Sequence, residues 1–518
     1  MKRTRLLGRV MVVFFVLLTV LSGVVHSTPL TPIRHVIIVV EENHSFDNVF
    51  GVYPFGFPQI VNNITLSVMR PLNYLTYGVF PNGDVNLSVP MVPFLPWLGH
   101  INPYPIGAVS SDPKEGRTEY YGDYWFGTEE GFPMYSGTES MGYLSYQVAS
   151  PLWDYAEEYV LADNFYAPVM GLTEPNRVAD LIGTFPTFTS DEATGVLAFS
   201  STIMYQLSQR NISWGYYVYE YTNNTPWPLT AFTGADAYSG HYHNLSTLVY
   251  QLRNGGLPSV SWAMFLGGGS DSYDLHPPNN FTAGEVALVS LINSVMESKY
   301  WNSTVIFVTF DEGGGYYDQV TPPALSQYGL GQRIPLLIIS PYSREAWVNN
   351  FTMSGFTILG FIDYNWRLPY LTNYVSQSDV AGMLSSFNFQ SPRSPIILSP
   401  TNWTYPVKLQ YPVHYGYVAT VSPNIGYVRY AAPPLLLVII PDVLALLLIL
   451  VPRRWAWSPS ILLSILALLL CSVYYVEFSL YSFELQLPLI TTFLILGGSL
   501  YRNRIYIKSL IRREFGAE

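Results

Sequence analysis

Short apolar runs rich in β-branched residues recur along the chain: Val36–Val40, Ser213–Tyr219, Val260–Phe265, Val305–Phe310 and Leu336–Ile339. Runs without polar alternation are what strands buried on both faces show, and helical or irregular material separates these. The pattern predicts an α/β domain with a mostly parallel sheet. Residues 52–135 break it with frequent Pro, Gly, Tyr and Asn, which predicts a long insertion of loops near the site. Residues 394–432 predict a β segment or stalk. At the two ends the pattern becomes almost wholly apolar. Lys2, Arg3, Arg5 and Arg9 precede the run Val10 to Val25, the layout of a signal peptide or signal anchor over 1–27. Three further runs, Pro434 to Val451, Ile461 to Val476 and Leu487 to Leu500, predict three transmembrane helices within 433–501.

Charge orients these segments. Arg453 and Arg454 lie between the first two runs, Glu477 and Glu484 between the second and third, and Arg502, Arg504, Lys508, Arg512 and Arg513 follow the last. The positive-inside rule places the double-arginine loop and the tail 502–518 in the cytoplasm. A domain spanning 28–393 then lies outside the membrane, as the leading segment independently requires. Asn-X-Ser/Thr triplets at Asn63, Asn86, Asn211, Asn223, Asn244, Asn280, Asn302, Asn350 and Asn402 agree, since all fall between the apolar ends. The single cysteine, Cys471, falls in the apolar tail, which leaves the exterior domain without disulfide or thiolate chemistry. Residues 28–430 hold 14 Lys and Arg against 31 Asp and Glu, so the surface repels nucleic acid.

Two of the apolar runs end on oxygen-rich side chains. One stops at Glu41, Glu42 and Asn43, the other at Asp311 and Glu312. Ligands sit at the carboxyl ends of strands in open α/β sheets. If the two strands are neighbours, at least three carboxylates converge. Two carboxylates ~4 Å apart repel by roughly 4 kcal/mol at an effective dielectric of about 20, so the cluster calls for a proton or a divalent cation.

The stretch Glu42-Asn-His-Ser-Phe-Asp-Asn-Val-Phe-Gly51 resembles the opening motif of the phosphoesterase family. That family holds phosphatidylcholine-hydrolysing phospholipases C and related acid phosphatases, within the alkaline-phosphatase-like superfamily. The resemblance continues, in order, at Gly171-Leu-Thr-Glu-Pro-Asn-Arg177, His276-Pro277, Asp311-Glu-Gly-Gly-Gly315 and Arg333-Ile-Pro335. It implies a three-layer αβα alkaline-phosphatase-like domain, to which the C-terminal transmembrane helices are an addition. It also implies Glu42, Asn43, Asp311 and Glu312 as metal ligands, with Thr173 as the nucleophile and a further ligand. A hydroxyl needs such activation, and Gly171 and Pro175 suit a turn and a helix start around Thr173. Thr173 as a plain helix cap is the other reading. All-oxygen donors favour one Ca²⁺, Mg²⁺ or Mn²⁺ ion.

His276 matches the family's histidine at the phosphate, where it would donate to a phosphoryl oxygen or protonate the leaving group; a surface histidine is the alternative. Asn43 and Arg177 would help hold the substrate, with a structural salt bridge open for Arg177. His241 and His243, two apart, would contact substrate or form a solvated loop pair. Gly313 and Gly355 depart from the family pattern, Gly355 standing in place of a histidine. The expected activity is hydrolysis of phosphate esters, phospholipid among them, through a covalent phospho-threonine. The competing class is a non-catalytic surface protein that keeps the fold for binding.

Overall fold

The computed structural model describes residues 28–53, 59–61, 64–66, 89–266, 272–325 and 328–399. The leading segment, the three apolar C-terminal runs, the basic tail, Cys471, nearly all of the stalk and the triplets at Asn63, Asn86 and Asn402 lie outside them. Among the described residues no helix is long and apolar enough to cross a membrane.

One eight-stranded sheet organises the domain. Its strands are β1 (His35–Glu41), β2 (Val160–Ala162), β3 (Trp214–Val218), β4 (Tyr242–Asn244), β5 (Val260–Met264), β6 (Thr304–Phe310), β7 (Leu336–Ile339) and β8 (Trp347–Asn349). They lie in the order β4-β3-β5-β1-β6-β7-β2-β8. All pairings are parallel except the two made by β7, which runs against both β6 and β2. Every residue of β6, and all of β1 but His35, is buried, which is why neither strand shows polar alternation. The two are direct neighbours, with Val36 opposite Val305 and Glu41 opposite Phe310.

The helices used below are α1 (Phe46–Phe50), α2 (Arg117–Tyr124), α3 (Tyr146–Glu158), α4 (Thr173–Ile182), α5 (Leu245–Asn254), α6 (Phe281–Met296) and α7 (Gly355–Asn365). They form two packed groups, α3 and α5 against α6, and α4 against α7. Consecutive residues of β3 face one group each. Tyr217 donates to Gln251 on α5 at 2.6 Å, while Tyr216 lines a cavity with Arg177 and Asp180 of α4 and Ile358 of α7. The sheet is therefore covered on both sides, a three-layer arrangement. The insertion expected as loops carries short elements of its own, including α2, whose Tyr120 donates to Glu312.

Candidate active site

The ends of β1 and β6 meet as their adjacency requires. Asp311 N–H donates to the Glu41 carbonyl at 3.0 Å, extending the ladder by one bond. Beyond it Asn43 adopts a left-handed conformation (φ 63°), which turns the chain into α1, capped by the Ser45 hydroxyl on Asn48 N–H at 3.1 Å. Asp311 Oδ1 closes the junction by accepting from Asn43 N–H at 3.3 Å and Glu312 N–H at 2.8 Å. Gly314 is obligatory here: at φ 60°, a Cβ would lie 2.2 Å from the Asn43 carbonyl oxygen.

Arg177 binds this junction from below. Its Nε reaches Asp311 Oδ2 and its Nη2 reaches Glu42 Oε1, both at 3.0 Å, with a further bond to the Val40 carbonyl at 3.3 Å. Arg177 thus pairs with two expected metal ligands and does not line the cleft. Burial works against its charge, but Asp311 and Glu42 hold its pKa above the ordinary range.

A cleft of about 840 Å³ opens above, lined by Glu42, Glu115, Thr173, Asp191, Asp274 and His276 among others. Thr173 is the first residue of α4, and the following N–H, that of Glu174, is taken by Asp191 at 2.8 Å. His276 is held by three groups. Its N–H donates to Asp274 Oδ1 at 3.2 Å, its Nδ1 meets the Pro277 carbonyl at 2.5 Å, and its Nε2 lies 3.0 Å from Asn43 Nδ2. Burial opposes the imidazolium, yet the Pro277 contact and the carboxylates of Asp112 and Glu115 leave the His276 pKa raised. The motif residue His44 is a buried strut between Asn48 and the Leu275 carbonyl.

His241 and His243 do not join this cluster. His241 stacks on Trp214 at 4.0 Å and bonds its carbonyl, at the opposite end of β3 from the cleft, and His243 lies in edge strand β4 beside Tyr217. The physical reason is strand direction: a two-residue spacing sets a shared face, not which end of the sheet it occupies. Conversely, Glu115 was not anticipated. It accepts from Asn43 Nδ2 at 2.6 Å, and its ligating oxygen lies within 4.8 Å of a carboxylate oxygen of Asp112 and a ring nitrogen of His276. One signal was available, because residues 85–111 contain no charged side chain and Asp112, Lys114 and Glu115 end that run.

The donor set suits a divalent cation. Burial, reinforced by neighbouring acids, pushes Glu42 above the ordinary carboxylate range, Glu312 up to about 8 and Glu115 up to about 10, while burial raises Asp311 against the opposing pull of Arg177. Asn43 Oδ1 and Glu312 Oε1 are buried and have no hydrogen-bond donor among the described residues. Two free oxygens within an acidic cluster, with the nearest guanidinium already committed, are the chemistry a hard cation satisfies.

A doubly covered, mostly parallel sheet with an acidic, oxygen-donor cleft at its carboxyl edge defines an α/β protein with its candidate ligand site at the strand ends. The chain belongs to the phosphoesterase family, whose pattern matches residues 33–369. It is 25% identical over 437 residues to the non-hemolytic phospholipase C of Burkholderia pseudomallei, covering 70% of this chain and 59% of that protein's length. It is 26% identical over 439 residues to phospholipase C B of Mycobacterium tuberculosis, covering 71% of this chain and 80% of the relative. A solved protein of the alkaline phosphatase superfamily from Vibrio parahaemolyticus overlaps 53% of this chain and 70% of its own at 13% identity, with a TM-score of only 0.30.

Proposed function

We propose that this protein is a metal-dependent phosphoesterase working through a phospho-threonine, on phospholipid or smaller phosphate esters. The observation that carries the reading is the position of Thr173, first residue of α4, opening into the same cleft as Glu42 and His276. A helix start is a favourable place for a phosphate. Glu42, Asn43, Asp311 and Glu312 would hold the cation, with Thr173 as a further ligand. When bound, it would lower the pKa of the hydroxyl and offset charge on the phosphoryl oxygens.

Thr173, its hydroxyl proton lost to solvent, attacks phosphorus through Oγ1, and the bond to the ester oxygen breaks. His276, protonated at Nε2 once that nitrogen parts from the Asn43 amide, delivers the proton to the departing oxygen, and its raised pKa favours that form. Water then attacks the phospho-threonine and returns a proton to His276; phosphate or a phosphomonoester leaves, and the Thr173 oxygen regains its proton from solvent. Asn43 holds His276 and Glu115 in place, and Arg177 fixes Glu42 and Asp311 beneath them. The names of the relatives favour a phospholipid. The apolar C-terminal runs would tether the exterior domain to the membrane within reach of one.

The test is hydrolysis of p-nitrophenyl phosphate and p-nitrophenyl phosphorylcholine by the purified chain, with and without chelator. Activity on the diester identifies a phospholipase C, and activity on the monoester alone identifies a phosphatase. Full rate after exhaustive chelation, with no metal found by elemental analysis, overturns the metal reading. Metal binding without hydrolysis of either ester leaves a binding protein.

A further inference from the structure

Behind Arg177, on the side away from the cleft, the sheet and the α4–α7 pair enclose a cavity of about 20 Å³. Three polar groups border it. Asp180 lies one helical turn beyond Arg177 on α4, so the two share a face. Its Oδ1 is buried without a hydrogen-bond partner among the described residues, as is the Tyr216 hydroxyl on β3. The third is the Arg177 guanidinium, whose Nη1 finds only the thioether of Met264 at 3.0 Å, a weak acceptor. An unmet buried acceptor, hydroxyl or guanidinium N–H is unfavourable, and here all three belong to residues that line one space. That space exceeds the ~10–15 Å³ one water requires, and a water needs two to four polar partners. The guanidinium excludes a cation, and a neutral molecule able both to donate and to accept suits all three groups.

Gly355, the first residue of α7, makes the arrangement possible. A Cβ there would lie 1.5 Å from Asp180 Oδ1, so any side chain at this position would displace the carboxyl from the cavity.

We propose that the cavity holds one ordered water molecule bonded to Asp180, Tyr216 and Arg177, and that Asp180 acts through it as a positioning residue. The water fixes the end of the guanidinium that faces away from the site, so that the other end holds Glu42 and Asp311 in register. Asp180 touches neither substrate nor cation. The positioning part rests on the functional reading above; the water itself does not.

A crystal structure of the chain tests the water directly. Density within hydrogen-bond distance of all three groups is expected, and a dry cavity overturns the proposal. Positioning is tested with Asp180→Val and Asp180→Asn, reading Mn²⁺ affinity by calorimetry alongside p-nitrophenyl ester hydrolysis. Loss of an outer-shell partner of a metal site typically weakens metal binding about 10–100-fold, so Asp180→Val should fall in that range while retaining its circular dichroism spectrum. Asp180→Asn keeps an acceptor for the water and should remain within about threefold of the parent. Should Asp180→Val misfold, Tyr216→Phe removes one water contact at little change in volume and should weaken Mn²⁺ binding in the same direction. A folded Asp180→Val or Tyr216→Phe with parental Mn²⁺ affinity overturns the positioning role. Water in place in a parent chain that neither binds Mn²⁺ nor hydrolyses either ester overturns the functional reading and the positioning built on it, while the hydration site stands.

Discussion

Replacing Arg333 with methionine removes the cation from a buried cluster that ties three parts of the sequence together. Arg333 is 1% exposed, and its Nη2 lies 2.7 Å from Asp47 Oδ1 in α1. Its Nε contacts both oxygens of Asp318 at 3.0 and 3.1 Å, its Nη1 donates to the Asp163 carbonyl at 3.1 Å, and its guanidinium sits 4.2 Å above the Phe46 ring. Methionine keeps much of the length but none of the donors, leaving two buried carboxylates uncompensated. Removing one partner of such a cluster costs about 3–5 kcal/mol. A domain of about 370 residues unfolds with an entropy near 0.8 kcal/mol/K, so the expected fall in Tm is about 4–6 °C. Differential scanning calorimetry at pH 7.5 measures it. The penalty comes mainly from the stranded acids, so Arg333→Met in an Asp47→Asn/Asp318→Asn background should recover at least half of the loss. A single-variant shift below about 1 °C, or no recovery in the neutralised background, refutes the reasoning.

Asp363 yields a pH-dependent test: burial pushes its carboxyl up from 3.8 to about 7, with Oδ2 accepting from Leu371 N–H at 2.9 Å and Oδ1 unmet among the described residues. Between those values the folded state keeps a proton that the unfolded chain has released, so stability falls as pH rises through the window and levels off above it. Asp363→Asn should therefore raise Tm at pH 8 and leave it nearly unchanged at pH 4; equal shifts at both would sink the assignment. Gly314→Ala forces a left-handed alanine against the Asn43 carbonyl and should cost about 1–3 kcal/mol and weaken Mn²⁺ binding, which calorimetry reads. Thr173→Ala should leave less than about a tenth of the parental rate in a folded chain, while Thr173→Ser should keep part of it, because the oxygen survives but the χ1 restriction is lost.

Strand positions were legible because burial on both faces removes polar residues, and a run such as Leu336–Ile339 has no other reading within so short a length. Strand direction left no such trace. β7 runs against its neighbours, yet its four apolar residues would read the same way in either orientation. The α4 start at Thr173 was legible from Gly171 and Pro175, whereas the left-handed Gly183 that ends the helix after Ile182 is seen only in the structure. The donor residues were visible as strand ends, but Arg177 beneath them was not separable from a phosphate ligand, since a buried guanidinium and a substrate clamp have the same sequence signature. Glu115 escaped because its segment has no periodicity, and only tertiary folding carries it to Asn43. The histidine pair came to the substrate only through its loose correspondence with the family, and the sheet carries His241 to the other end of β3 from the cleft.

Glu42 and Asn43 arrive on β1 and Asp311 and Glu312 on β6, and the bond joining the two halves spans 268 positions of sequence. A nascent chain therefore carries half a donor set until the later strand has left the ribosome and slid in beside the earlier one. The same arrangement means that two polypeptides parted between these strands would each hold half of the donor set, and that the set would be complete only when they re-formed the shared ladder.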